Sequence, residues 1–110
     1  MKENNFVLII TIVNRGHADL VMETAKAAGA QGGTILHARG SGIHETEKFF
    51  GIAITPEKDV VLILVKTEQR QEIMHAVTEH AELYKEGKGL IFALPVDDVA
   101  GITHMMENES

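Results

Sequence analysis

The chain has no cysteine among its 110 residues, so disulfides and thiolate metal sites are excluded. It also lacks a long apolar run. The two strongest, residues 6–13 and 60–65, fall far short of the roughly 20 residues a membrane helix needs. Basic charge is scarce: 10 Lys and Arg face 16 Asp and Glu, for a net charge of −6. Affinity for nucleic acid comes chiefly from cations that neutralise backbone phosphates, so general DNA or RNA binding is not expected. The opening residues MKENN carry a lysine but no apolar stretch with a small-residue cleavage pattern. No secretory signal is expected, and the cytoplasm is the simplest location. There is no Ser-His-Asp set, no pair of catalytic carboxylates and no metal-ligand cluster at a diagnostic spacing, so catalysis is not expected.

What is present suits one soluble domain with a single core: 45% hydrophobic and 24% charged residues. Residues 1–104 are expected to form it, with 105–110 as a frayed acidic tail. Residues 6–13 are continuously apolar and rich in β-branched side chains, which predicts a buried strand ending at the turn Asn14-Arg15-Gly16. Ala18, Val21, Ala25 and Ala28 share one helical face, and Gly29 is placed to end that helix. Residues 34–38 read as a second strand and 60–65 as a third. Between them, 49–54 begins an extended segment whose Pro56 cannot lie inside a central ladder. Thr67 reads as the N-cap of a second helix, with Glu68 suited to its positive end. Its apolar face would comprise Ile73, Met74, Val77, Ala81 and Tyr84, with Gly87 and Gly89 ending it before a strand at 90–94.

This order predicts an α+β fold: a ferredoxin-like double βαβ, βαββαβ, with a four-stranded antiparallel sheet and both helices on one face. The first and third strands are apolar at nearly every position rather than alternating, so the opposite face of the sheet needs a cover as well. A homo-oligomer that buries it is the natural inference.

Three stretches could carry chemistry. In GGTILHARGSG, residues 32–42, the glycines either shape the turns into and out of a strand or let backbone approach a ligand. In YKEGKGLIF, residues 84–92, Gly87 and Gly89 flank Lys88, so backbone N–H groups and an ammonium could converge on an anion. A Gly-rich turn between a helix and a strand is also ordinary capping, and no Ser or Thr follows Lys88 as a P-loop requires. SGIHETEKFFG, residues 41–51, is a polar loop between the two halves, either a solvated surface or a recognition element. His75 and His80, five apart, do not form a zinc helix motif, and packing or exposure accounts for His17, His37 and His104.

Together, GGTILHARGSG, FFGIAITPEKDVVLILV and GKGLIFALPVDDVAGI resemble the PII signal-transduction family, the trimeric nitrogen-regulatory proteins, from residue 6 to about 102. The resemblance implies a homotrimer with three clefts between subunits, each holding an adenine nucleotide: ATP, ADP or AMP. Thr34 would lie beside the adenine, Gly40 and Gly42 at the root of the long loop, and Gly87 and Gly89 along the phosphates. The chain departs from the family pattern at Leu90, Gly101 and Thr103, which stand where phosphate-binding cations are usual. Lys88, Lys58 and Arg39 are the cations placed to compensate, or the ligand carries fewer phosphates. The thirteen residues between Gly42 and Pro56 make a loop shorter than the common family loop, and without tyrosine, so control by uridylylation is not expected.

His44 aligns with a glutamine that helps bind 2-oxoglutarate with a metal ion, and imidazole ligates metals or senses pH near neutrality. His44, Glu45, Glu47 and Lys48 would form the loop surface that meets a regulated protein, such as a membrane transporter or a metabolic enzyme. Three alternatives stand beside this reading. One is a trimeric metal-binding protein resembling the CutA family, with His44, Glu45 and Glu47 as ligands. Another is a structural trimer without a sensed effector. The third is an enzyme resembling acylphosphatases through Arg15, although after Asn14 the only asparagine is Asn108 in the tail.

Overall fold

A computed structural model describes residues 5–42, 47–49 and 51–102. The elements run β1 (Phe6–Asn14), α1 (Ala18–Ala27), β2 (Thr34–Arg39), β3 (Glu47–Phe49), β4 (Ile52–Ile54), β5 (Glu57–Lys66), a 3₁₀ turn (Thr67–Gln69), α2 (Arg70–His80) and β6 (Gly89–Val96). The main sheet has the order β2-β5-β1-β6 with every neighbouring pair antiparallel. That is the double βαβ arrangement expected from the order of elements.

Alternation along the central strands explains their unbroken apolar sequence. Val7, Ile9 and Val13 of β1 and Val61, Ile63 and Val65 of β5 are buried together with Val21 and Ala25 of α1 and Ile73 and Val77 of α2. The intervening residues Leu8, Ile10, Ile12, Val60, Leu62 and Leu64 face the other way and are only half-buried. On the flanking strands, Leu36, Leu90 and Leu94 are 47%, 52% and 47% exposed. The register places Leu36 opposite Val60, and Leu90 and Leu94 opposite Ile12 and Leu8, so all belong to the face without helices. At one end of it, Phe6 and Ile102 bury each other beside Leu64 and Val96.

Both helices close with the same reciprocal pattern of carbonyl capping. At α1, Ala30 N–H reaches Ala25 O at 2.9 Å and Gly29 N–H reaches Lys26 O at 3.1 Å, with Gly29 at φ +123°. At α2, Leu83 N–H reaches Thr78 O at 3.0 Å and Glu82 N–H reaches Glu79 O at 3.3 Å. Here the left-handed position is held by Glu82 at φ +57°, not by glycine.

Four local expectations need correction. Thr67 does not cap α2: the side-chain oxygen of Gln69 accepts Lys66 N–H at 2.9 Å over a 3₁₀ turn, and the helix begins at Arg70. Gly87 and Gly89 do not end α2, because Glu82 has already turned the chain. Tyr84 therefore lies beyond the helix and is 63% exposed, so it is no part of the apolar face. The extended segment at 49–54 is a small antiparallel hairpin, β3 with β4, in which Phe49 pairs with Ile52 and Gly51 has φ +79°. The expected tail, 105–110, lies outside the described residues.

Candidate ligand-binding cleft

The strand ends dictate where a ligand would sit. Where β2 leaves the sheet and β5 enters it, Ala38 pairs with Lys58. One strand further in, Ile12 stands opposite both Val60 and Leu90. These side chains share the face without helices, and around them opens a cleft of about 370 Å³. Its floor is apolar, formed by Ile12, Ala38, Val60 and Leu90. Its rim comes from the exit of β2, Arg39 to Gly42, and from Lys58, Gly87 and Gly89. An apolar cleft with a few polar groups at the edge is the general form of a small-molecule site.

Six of the eight expected ligand-binding residues thus converge on one cleft of a single chain: Arg39, Gly40, Gly42, Lys58, Gly87 and Gly89. Two are not brought there. Thr34 shares this sheet face but sits at the start of β2, four residues and about 13 Å of strand from Ala38. Lys88 turns away from the cleft: its Nζ lies 3.9 Å from Glu82 Oε1, beside a recess that also involves Asn14 and His17. Gly101, another departure from the family pattern, is exposed at φ +84°. His44, Glu45 and Thr103 lie outside the described residues. Glu47 and Lys48 are placed only as positions of β3, paired with Ile54 and Ala53.

The glycines divide by physical role. A Cβ on Gly89 would come within 2.3 Å of the Ile12 carbonyl oxygen, and Gly89 has φ +133°, so close packing on β1 and backbone conformation both require glycine. Gly33 is likewise pressed on the sheet, where a Cβ would meet Leu62 O at 2.7 Å; close packing, beyond the turn alone, accounts for it. Gly40 is different. It lies on the cleft rim, its φ is ordinary, and a Cβ there would meet nothing within 4 Å. Its N–H is bonded to Pro56 O at 3.1 Å, which ties the exit of β2 to the entry of β5.

Lys58 is buried to 8% exposure and donates from Nζ to Asn14 Oδ1 at 2.8 Å. Asn14 in turn donates from Nδ2 to Gly87 O at 2.9 Å. In the sequence Asn14 carries only the signature of a turn; its partners become visible once β1, β5 and the loop before β6 are in register. Asp59 was missed for the same reason. It is 4% exposed, accepts Gly16 N–H at 3.0 Å and lies 2.9 Å from His37 Nδ1. The Gly16 N–H holds its carboxyl below the ordinary value near 3.8, against the opposing effect of burial and with help from His37 and Arg15. His37 is therefore not merely exposed, although 80% of its side chain is accessible. Arg15 pairs with Glu57 where β1 ends and β5 begins, and has no second polar group of the kind an acyl-phosphate site would need among its described contacts. Among the described residues no cluster of three His, Asp or Glu is arranged to hold a metal ion. Among them, too, no helix is long and apolar enough to cross a membrane.

A sequence profile described as Nitrogen regulatory protein P-II matches residues 6–105. The chain belongs to the PII family. Among solved structures, the crystal structure of Arabidopsis thaliana PII bound to citrate is similar: 26% identical, with a TM-score of 0.71 over 94% of this chain and 88% of that one. No curated protein matches this chain significantly in sequence. PII proteins are regulatory proteins, and the four-stranded antiparallel sheet with two helices is their fold. The cleft described above lies at the junction of the chain's two Gly-rich segments.

Proposed function

We propose that this PII protein is a homotrimeric sensor that binds a small anionic effector, an adenine nucleotide, in its clefts and regulates a partner protein through residues 43–55. The observation that carries the reading is the cleft itself. An apolar floor of Ile12, Val60 and Leu90 suits a flat base, and the Gly-rich rim with Lys58 and Arg39 suits an anion. Thr34, four residues along the same face, would complete the site from a neighbouring subunit. The half-buried apolar face supports the trimer, because Leu36, Leu90 and Leu94 would be covered there. Leu90 stands where a phosphate-binding cation is usual, so the cleft favours a nucleotide with fewer phosphates: AMP and ADP bind at least as tightly as ATP. The relative was crystallised with citrate, which makes a polycarboxylate the comparison ligand.

The loop acts by being held differently in the liganded and unliganded states, since an effector shifts an equilibrium only through unequal affinity for its two states. His44, Glu45, Glu47 and Lys48 are the residues assigned to the partner, with a membrane transporter ahead of a metabolic enzyme.

The test is calorimetric titration and thermal melting of the purified protein with AMP, ADP, ATP, 2-oxoglutarate and citrate, with and without magnesium. Saturable binding of an adenine nucleotide raises the melting temperature by mass action. Gly40→Val, which fills the rim at a position where a Cβ meets no other atom within 4 Å, abolishes that rise while leaving the unliganded melting temperature nearly unchanged. A trimer that binds none of the nucleotides at millimolar concentration would sink the reading and leave the structural trimer.

A further inference from the structure

Asn14 is the last residue of β1 and stands directly opposite Lys58 in the β1·β5 ladder. Its amide has one accepting end and one donating end, and both are used: Oδ1 takes the Lys58 ammonium at 2.8 Å and Nδ2 serves the Gly87 carbonyl at 2.9 Å. The two neighbours fix the amide's orientation, because exchanging its ends would set N–H against an ammonium and oxygen against a carbonyl. No other side chain of this size does both. A carboxylate would satisfy Lys58 and repel Gly87 O, and an aliphatic group would satisfy neither.

From this geometry we infer that Asn14 is a positioning residue of the cleft. It couples the ammonium at the start of β5 to the carbonyl of the Gly-rich loop before β6. Both residues line the cleft, whereas Asn14 itself is outside its lining. The coupling matters because Gly87 sits at φ +81° and a Cβ there would meet nothing within 4 Å, so no close contact on that side of the residue fixes the loop. A ligand entering a loop already held in place avoids the entropic cost of ordering it. The inference rests on the reading of the cleft as an effector site, but its first consequence concerns the unliganded protein.

The test uses the full-length chain with Asn14→Asp, which keeps the contact to Lys58 and loses the donor to Gly87, and Asn14→Leu, which loses both. Backbone amide exchange at residues 87–90 is read without ligand, and affinity for AMP, ADP and ATP by calorimetry. Exchange in that loop is expected to rise about tenfold in both variants, with α1 and α2 unaffected, as for local opening. The dissociation constant of each nucleotide that binds the wild type is expected to weaken about tenfold. Combining Asn14→Leu with Lys58→Met is expected to cost less than the two separate losses together, the signature of residues that act through one another. Unchanged loop exchange in both variants overturns the inference whether or not any nucleotide binds, and so does raised exchange with unchanged affinity. Raised exchange in a protein whose wild type binds no nucleotide supports the coupling and overturns only the effector reading. Should Asn14→Leu fail to fold, Asn14→Asp decides alone.

Discussion

Asp59 and Gly16 are forty-three residues apart in sequence, yet the buried carboxylate of one accepts the backbone N–H of the other, at the surface of the turn, at 3.0 Å. The contact pins the turn between β1 and α1 to β5, and His37 at 2.9 Å from the second oxygen brings in β2. Three strands are thereby held at the end of the sheet that carries the cleft.

The carboxyl of Asp59 titrates below the ordinary value near 3.8 because the Gly16 N–H favours its charged form. The unfolded chain therefore takes up this proton first on acidification. The stabilisation is complete above about pH 4 and is lost as pH falls through the depressed native value. Asp59→Asn is expected to lose about 1.5–3 kcal/mol at pH 7, the usual worth of hydrogen bonds to a charged group. In urea unfolding between pH 7 and pH 2.5, the gap between wild type and variant should narrow in acid. A gap independent of pH would show that the carboxylate charge contributes nothing.

Thr11 lies wholly inside the helix-side core, and its hydroxyl has no hydrogen-bond partner among the described residues. Thr11→Val replaces a buried unsatisfied group by a methyl of the same shape and is expected to stabilise by about 1–3 kcal/mol. The measurement is the denaturant midpoint at constant slope. A lower midpoint would mean that the hydroxyl finds a partner in solution.

Glu82 holds a left-handed position that ends α2, where glycine carries no penalty. Glu82→Gly gives up two exposed ion pairs, with Lys85 at 3.2 Å and Lys88 at 3.9 Å, which are worth little. A net gain of about 1 kcal/mol is expected, read as a higher melting temperature. A loss would give those ion pairs more weight than exposure allows.

Two glycines of the cleft separate stability from binding. Gly89→Ala drives a methyl into the Ile12 carbonyl at a strained φ, and a loss of at least about 2 kcal/mol is expected. Gly40→Ala meets nothing, and a change within about 0.5 kcal/mol is expected. Parallel thermal melts of the two variants check the contrast.

The face of the sheet away from the helices gives the last prediction. Leu36 and Leu94 are each 47% exposed on it, although neither lines the cleft. Leu36→Glu and Leu94→Glu are expected to convert a trimer to monomers in sedimentation equilibrium, because a buried carboxylate without a partner is too costly to keep. Variants that remain trimeric would place the interface elsewhere.

The sequence by itself determined the kind and order of the two helices and of the four strands of the main sheet, though not the small β3–β4 hairpin. The β-branched runs at β1 and β5, the Ala18, Val21 and Ala25 stripe and Gly29 are local signals, and local physics suffices to read them. The loss of period-two alternation in the central strands also reported that both faces of the sheet are apolar, the helix side buried and the other half-buried. Boundaries at α2 were misread because a glutamine and a left-handed glutamate performed the tasks assigned to Thr67 and to two glycines. The site was legible only in part. Gly-rich spacing marked its rim, whereas Ile12, Val60 and Leu90 on its floor look like any core residue until the register aligns them. The direction of Lys88, the bridge from Lys58 through Asn14 to Gly87, and the Asp59–Gly16 contact were decided by tertiary structure alone. Each joins groups far apart in the chain, and which of them meet is set by strand pairing, a global property that no short stretch of sequence encodes.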